Sequence, residues 1–397
     1  MTPARVLFYV QHLLGIGHFR RAVTLVDAMS RQGLQVTMVS GGFPVPGMAP
    51  ESASLVQLPP AGAADLSFRE LVDEDGKPVT AQWKLWRQQR LLEVWRALAP
   101  HAIVVELFPF GRRQMRFELL PLLEAASTGA DAPLRVSSVR DVLGGAQKEP
   151  AKQDQMLATF QRCFDHLLVH GDPKVIPFGT TFRHAAQIAN RLHYTGYVVD
   201  ARTQAGLGTA SEPPPSLSAG EVLVSAGGGA VGMQLLTTAI AARRLSRLGA
   251  RRWRLLAGMN SSAGDVAWLQ ELARCESADG IVVEQHRPDF VSQLAACRVS
   301  VSQGGYNTVM ETLGVGARAV VVPFAGGAET EQTLRARILG QRGWIHVVEE
   351  SDLTPLALAR AIDLADSRPR LPSPSVDMHG AARSAELLDS WIKERFA

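Results

Sequence analysis

Residues 299–332 read VSVSQGGYNTVMETLGVGARAVVVPFAGGAETEQ, which is an apolar run, two glycines, a helical stretch, a second apolar run closed by Pro323, and a polar turn. Residues 299–302 alternate like the end of a buried strand, Gly304 and Gly305 interrupt the run, and residues 307–313 suit a helix that Gly314 stops. A helix N-terminus therefore follows directly on a strand. Its first N–H groups have no partners within the helix and its dipole is positive there. With glycine in place of bulkier residues, the turn is a seat for an anion such as phosphate. Glu311 stands one turn into the helix on the side of Thr308, where a carboxylate can accept the hydroxyls of a ribose. A second strand, residues 319–324, leads through the turn to Glu331 and Gln332 at the start of another helix. These two side chains can take sugar hydroxyls.

The run GGYNTVMETLGVG, the strand VVVPF and the pair Glu331 and Gln332 resemble the donor-binding segment of GT-B glycosyltransferases, especially the MurG-like group, which moves N-acetylglucosamine from a UDP donor. The resemblance covers the C-terminal half and, more weakly, the N-terminus. It implies that Gly304, Gly305 and Thr308 hold the diphosphate with Asn307 beside them, that Glu311 holds the ribose, and that Glu331 and Gln332 hold the donor sugar. The plainer alternative is the Gly-rich strand-to-helix turn of any α/β protein.

At 397 residues, 46% hydrophobic and 20% charged, the chain has an ordinary soluble globular composition and the length of two domains. A formal charge of +3 and a pI near 8.9 are too small a surplus to argue for nucleic acid. Cys163, Cys275 and Cys297 are scattered without a CxxC pair, which argues against a zinc ribbon or a disulfide framework and fits a reducing cytoplasm. The N-terminal MTPARVLFYVQHLLGIGHFRR reads as a first strand and its loop, not as a leader. No run approaches the roughly 20 apolar residues of a membrane span. The expected location is the cytoplasm, with any membrane contact peripheral and at the inner face.

Residues 6–10 form the continuous apolar run of a parallel strand buried on both faces, and residues 18–32 follow as a helix with Ala22, Val23, Leu25, Val26 and Met29 inward. The loop between them carries Gly15, Gly17, His18 and Arg21 at the strand's C-terminal edge, where open α/β sheets place ligands. An imidazole titrates near neutral pH, so His18 can take a proton from an acceptor hydroxyl or from water. The alternative is a helix-start histidine bonded to backbone. This Gly-x-Gly-His-x-x-Arg pattern also resembles the N-terminal loop of GT-B enzymes and of related nucleotide-sugar hydrolases, which implies Gly17 beside the donor and His18 as general base.

Residues 44–60 read as a Pro- and Ser-rich loop and residues 65–79 as a charged turn. Residues 80–98 read as a helix in which Trp83, Trp86 and Trp95 share a side with Lys84, Arg87 and Arg90. It is either a core helix whose basic stems reach outward or a surface for a membrane or an amphiphilic acceptor. Strands at 102–107, 134–139, 166–170 and 192–199 follow, making Glu106, Asp141, His170 and Asp172 candidates at the ligand-facing edge, although each also suits a turn or cap. Arg112, Arg113 and Arg116 sit among aromatics in FPFGRRQMRF, residues 108–117, where an anionic acceptor or lipid headgroup can meet them.

Residues 201–220, rich in Gly, Ser and Pro, form the interdomain linker. A second βα series opens with SAGGGAVG, residues 225–232, whose Gly228 and Gly229 let the backbone approach an anion, and which lacks the Lys-Ser/Thr of an ATP-binding loop. The resemblance implies that this is the first loop of the C-terminal domain and that the loop carrying His286 and Arg287 holds the nucleobase by backbone groups. It also implies that the final helix, residues 380–395, returns to the first domain.

The expected fold is thus α/β of the GT-B kind, with two Rossmann-like domains, 1–200 and 221–379, facing a cleft, and residues 380–397 packing back on the first. The expected function is inverting transfer of a sugar from a nucleotide-diphosphate donor, UDP-linked by preference, to an unidentified small-molecule, glycan or lipid-linked acceptor. His18, Glu106 or Asp141 serves as base. Neither cofactor nor metal is expected, on the reading that the chain holds no Asp-x-Asp. Three alternatives stand beside it: a nucleotide-sugar hydrolase that uses water, a nonhydrolytic epimerase, and a noncatalytic sugar-nucleotide-binding protein.

Overall fold

The computed structural model describes residues 3–13, 15–65, 70–129, 131–144, 149–199, 220–227, 232–259, 261–276, 280–326, 330–370 and 376–397. Most of the linker segment and the glycines 228 and 229 lie outside these residues. The chain forms two compact units, Met1–Val198 with His379–Ala397, and Val199–Met378.

In order, the chain runs β1 (Arg5–Val10), α1 (Gly17–Arg31), β2 (Gln35–Ser40), β3 (Ser54–Gln57), β4 (Gly62–Ala63), β5 (Leu71–Val72), α2 (Ala81–Leu98), β6 (Ala102–Glu106), α3 (Arg116–Ala125), β7 (Leu134–Arg140), α4 (Pro150–Cys163), β8 (His166–His170) and β9 (Leu192–Tyr194). It continues through β10 (Val222–Ser225), α5 (Met233–Ala242), β11 (Trp253–Leu256), α6 (Ala263–Glu276), β12 (Ile281–Glu284), α7 (Phe290–Ala296), β13 (Val299–Ser302), α8 (Tyr306–Gly314), β14 (Ala319–Val321), α9 (Glu331–Gln341), β15 (His346–Val347), α10 (Pro355–Ser367) and α11 (Gly380–Arg395).

The first unit holds a seven-stranded sheet in the order β3-β2-β1-β6-β7-β8-β9, parallel throughout. The second holds a six-stranded parallel sheet in the order β12-β11-β10-β13-β14-β15. The second order is that of a dinucleotide-type doubly wound sheet, and in both sheets the strand order reverses beside the unit's first strand, where a crevice opens at the carboxyl ends. In the first unit that point lies between β1 and β6, paired Tyr9 to Val105. In the second it lies between β10 and β13, paired Ser225 to Ser302.

The apolar pattern explains the layers. Val6, Leu7, Phe8, Tyr9 and Val10 are fully buried, as a strand covered on both faces requires. Helix α1 turns Phe19, Ala22, Leu25, Val26 and Met29 inward, and from α11 Ala381, Ala385, Leu388, Trp391 and Ile392 join the same cluster. The Trp391 ring stacks on His166 at 3.9 Å between centroids. Helix ends follow their caps: Thr80 accepts from the Trp83 N–H ahead of α2, and Thr354 from the Ala357 N–H ahead of α10.

Three local readings change. The stretch 44–60 is not all loop, because Ser54–Gln57 adds the edge strand β3; its sides are largely exposed, so it lacks the apolar signature of an inner strand. The expected strand at 192–199 is regular only over Leu192–Tyr194. In α2, Arg87 does not reach outward. It is fully buried and donates to both oxygens of Glu118 at 2.7 and 2.9 Å, to Gln11 and to the carbonyls of Gly41 and Pro59.

Candidate active site

The first unit builds its site where β1 and β6 end side by side. His18 lies in the first turn of α1, and Glu106 is the last residue of β6, its side chain fully buried. The strand order brings these two together across 88 residues, with His18 Nδ1 2.9 Å from Glu106 Oε1. A carboxylate only accepts, so Nδ1 carries the hydrogen and Nε2 is left with the lone pair that can take a proton. Arg21, one helical turn beyond His18, pairs with the same Glu106 oxygen. Ser138 on β7 donates to the other oxygen at 2.9 Å and stands 2.8 Å from His170 Nε2, and His170 Nδ1 lies 2.9 Å from Thr195. Glu106 thus sits in a chain of polar groups that runs from α1 to Thr195, just beyond β9.

Burial and neighbouring charge set the state of His18. Burial first, then the guanidinium groups of Arg140, Arg112 and Arg21, hold its imidazole well below the usual range, although its side chain keeps 16% exposure. At neutral pH it stands uncharged and able to act as a base. Arg112 has a left-handed backbone (φ 54°) and donates to the Gln11 carbonyl at 2.8 Å. Burial lowers it to about 10, against the pull of Glu106. His12 packs edge-on against Phe19, and burial brings it down to about 4. His170 is depressed too, by burial and then by Arg21.

Asp141 stands apart from this cluster: it is buried, and its described bonds are from the Val142 N–H at 2.9 Å and the Tyr197 hydroxyl at 3.1 Å. These bonds close the loop after β7. Asp172 caps Lys174 N–H at 2.8 Å, a turn role. Gly17 opens α1. The expectation that the chain holds no Asp-x-Asp is corrected by Asp73-Glu74-Asp75, which lies in the charged turn, where Asp73 Oδ1 accepts from the backbone of Asp75 and Lys77 at 3.0 and 2.9 Å.

The second unit builds its site at the end of β13. Gly305 is the N-cap of α8 with no side-chain capping bond, and the first backbone bond into the helix is Val309 N–H to the Gly305 carbonyl at 3.0 Å. The first-turn N–H groups therefore point outward at the switch point of the sheet. The two glycines differ. A Cβ at Gly304 would stand 3.1 Å from Gln332 Cβ, whereas one at Gly305 would meet nothing within 4 Å. Gly304 is thus a packing requirement against α9, and Gly305 leaves an open side. Asn307 and Thr308 are half-buried, and Glu311, one turn on, is buried.

Gln332 accepts the Phe324 N–H at 3.2 Å, which fixes the turn after β14 to α9. Glu331 Oε1 accepts from Arg335 Nη2 at 2.9 Å. Arg335, fully buried with its guanidinium 5.1 Å from the Tyr306 ring centroid, was not legible as part of the site; the only sequence sign is its i+4 spacing from Glu331. His286 is exposed in the loop after β12, the outermost strand. Arg287 turns back on its own loop, donating to both oxygens of Asp289 at 2.8 and 2.9 Å and to Glu284 at 3.3 Å. Those bonds raise the Arg287 pKa and lower that of Asp289. Arg287 braces the loop, the Gln285 carbonyl accepts the Gly258 N–H at 2.7 Å, and His286 stays exposed.

Comparison with known proteins defines the class. Residues 261–388 match the glycosyltransferase family 28 C-terminal domain. The fold is GT-B, two units with parallel sheets, and the chain is similar to glycosyltransferases of the MurG-like type. Among its relatives, the UDP-N-acetylglucosamine--N-acetylmuramyl-(pentapeptide) pyrophosphoryl-undecaprenol N-acetylglucosamine transferase of Methylorubrum populi is 25% identical over 385 residues, 94% of this chain and 91% of the relative. The enzyme of the same name from Granulibacter bethesdensis is 26% identical over 246 residues, 61% of this chain and 57% of the relative's length. The crystal structure of Acinetobacter baumannii MurG superposes with a TM-score of 0.59 at 15% identity, covering 98% of this chain and 100% of that one.

Proposed function

We propose that this protein transfers a sugar from a UDP-sugar to an acceptor with inversion at the anomeric carbon and without a protein-held metal. The observation that carries the reading is the His18–Glu106 pair at 2.9 Å, held at the switch point of the first sheet. In this mechanism His18 Nε2 takes the proton of an acceptor hydroxyl as its oxygen attacks the anomeric carbon from the face opposite the phosphate. The bond from that carbon to the phosphate oxygen breaks and the nucleoside diphosphate leaves with the electron pair. Glu106 stabilises the imidazolium that forms. The N–H groups of the first turn of α8, with its dipole, stabilise the diphosphate as its charge grows. Gly304, Gly305, Asn307 and Thr308 are assigned to the diphosphate, Glu311 to the ribose, Glu331 and Gln332 to the sugar, and the backbone around His286 to the base. Gly228 and Gly229 are assigned to the donor from the sequence alone.

The relatives' names support UDP as the donor nucleotide and a lipid-linked pyrophosphate as the acceptor class. The cations Arg112 and Arg140 that depress His18 support an anionic acceptor. On α2, Leu85 and Trp86 are 59% and 49% exposed beside Lys84 and Arg90, a surface suited to peripheral contact with the cytoplasmic face of a membrane. No helix among the described residues is long and apolar enough to cross one.

The test is to offer the purified protein UDP-, dTDP- and GDP-sugars with water alone and then with membrane extract. A new glycosylated product only with extract supports transfer; free sugar with water alone supports hydrolysis. His18→Ala should keep donor binding and lose turnover. Unchanged turnover removes His18 from the mechanism.

A further inference from the structure

Arg335 is a charged side chain with no exposed surface, placed on α9 one turn after the pair Glu331 and Gln332. Two of its described contacts bear on the site. Its Nη2 donates to Glu331 Oε1 at 2.9 Å, and its guanidinium lies over the ring of Tyr306, 5.1 Å from the centroid. Tyr306 is itself buried and is the first residue of α8. Arg335 therefore spans two helix N-termini. One is the start of α9, which presents Glu331 with its side chain 13% exposed, and the other is the start of α8, which presents the outward N–H groups. Both stand at the carboxyl edge of the sheet beside β13 and β14, the neighbouring strands that precede them.

Burial makes the contact consequential. A guanidinium is charged at any working pH, and a fully buried cation needs a fixed counter-charge. Glu331 supplies it, so the carboxylate is held in one direction and one charge state rather than swinging in water. A flexible glutamate at a helix start would lose rotamer freedom on binding a ligand; one already held by Arg335 loses less. The flat guanidinium face on the Tyr306 ring fixes the other end, a geometry that a lysine ammonium does not reproduce.

We infer that Arg335 is a positioning residue for donor-sugar recognition, a strut that aims the Glu331 carboxylate at the sugar hydroxyls while registering α9 against the phosphate-facing end of α8. This rests on the reading above that Glu331 meets the donor sugar. Arg335 touches no ligand itself, so its removal acts on the sugar part of the donor and spares the nucleoside diphosphate.

The experiment compares dissociation constants for UDP and for UDP-N-acetylglucosamine, measured by calorimetry on the full chain, in wild type, Glu331→Ala, Arg335→Met, Arg335→Lys and the double variant Glu331→Ala/Arg335→Met. Each of the Glu331→Ala and Arg335→Met changes should weaken UDP-N-acetylglucosamine by about 10-fold or more, the range of a lost charge-assisted hydrogen bond, with UDP held within about twofold. The double variant should be no weaker than the single ones, because both remove one interaction. Arg335→Lys keeps the charge and the buried stem, so it should fold and fall between wild type and Arg335→Met; where Arg335→Met does not fold, Arg335→Lys carries the comparison. If Glu331→Ala lowers the preference for the sugar nucleotide and neither Arg335 variant does, the inference fails and the Glu331 reading stands. Equal loss of UDP and UDP-N-acetylglucosamine in Arg335→Lys also overturns it, since that marks Arg335 as part of the fold alone. If Glu331→Ala leaves the ratio of the two constants unchanged, the sugar-site reading fails first.

Discussion

Replacing Glu106 by Gln tests the base and its surroundings together, because that carboxylate meets His18, Arg21 and Ser138 at once. Gln keeps the volume and one acceptor oxygen. With that oxygen turned toward Arg21 and His18, the amide nitrogen faces the Ser138 hydroxyl, which can rotate to accept. The unavoidable loss is the negative charge beside Arg21, whose side chain is fully buried. Leaving a buried guanidinium without its counter-charge costs about 3–5 kcal/mol. For a unit of this size that lowers the melting temperature on the order of 10 °C. The imidazolium formed in the reaction loses its stabilising partner as well, so kcat should fall roughly 10²–10⁴-fold, the range of a positioned acid–base group. The acid limb of the rate profile should move to lower pH, since protonated His18 is no longer favoured by a neighbouring carboxylate. The assay follows UDP release at a temperature well below the transition. Donor affinity, measured alongside, should stay within about twofold because the donor residues lie on the other unit. A Glu106→Gln chain with wild-type kcat and an unmoved acid limb would refute the dyad.

In wild type the acid limb of kcat/KM should lie below pH 6.5, and Arg112→Gln should raise it by removing one of the cations that disfavour protonated His18; a limb that stays put excludes Arg112 from that role. Stability should also fall with acid. His12, His18 and His170 have folded pKa values below their unfolded ones, so they favour the folded state above pH 6.5 and progressively oppose it below, as the unfolded chain binds protons first. His12 alone, 4% exposed and depressed to about 4, should cost about 3 kcal/mol by pH 4, and denaturant titrations at pH 7, 6 and 5 will show whether the slope has this sign. Gly305→Ala should fold and melt like wild type yet bind donor at least about 10-fold more weakly, because its added methyl points into open space where a ligand would stand. Gly304→Ala should lose about 1–3 kcal/mol of stability instead, its methyl pressing on Gln332, and a reversal of these two outcomes would place the diphosphate elsewhere.

The sequence by itself determined the alternation of strand and helix, because apolar runs that end in glycine carry their own periodicity. Val6 to Val10 and residues 299–314 announce buried strands and the helix starts beyond them without help from distant residues. It also marked Gly304, Gly305, Glu331 and Gln332, whose significance lies in local spacing. The tertiary structure decided which polar residues meet. Glu106 and Asp141 look alike in the sequence, each at a strand end, yet only Glu106 reaches His18, because β6 pairs with β1 and β7 lies one strand further out. Strand order is a long-range property that no local pattern encodes. The same holds for Arg87 and Arg335: an arginine on a helix reads as a solvated stem, and only the packed fold supplies the buried Glu118 carboxylate that draws Arg87 inward and the Tyr306 ring that covers Arg335.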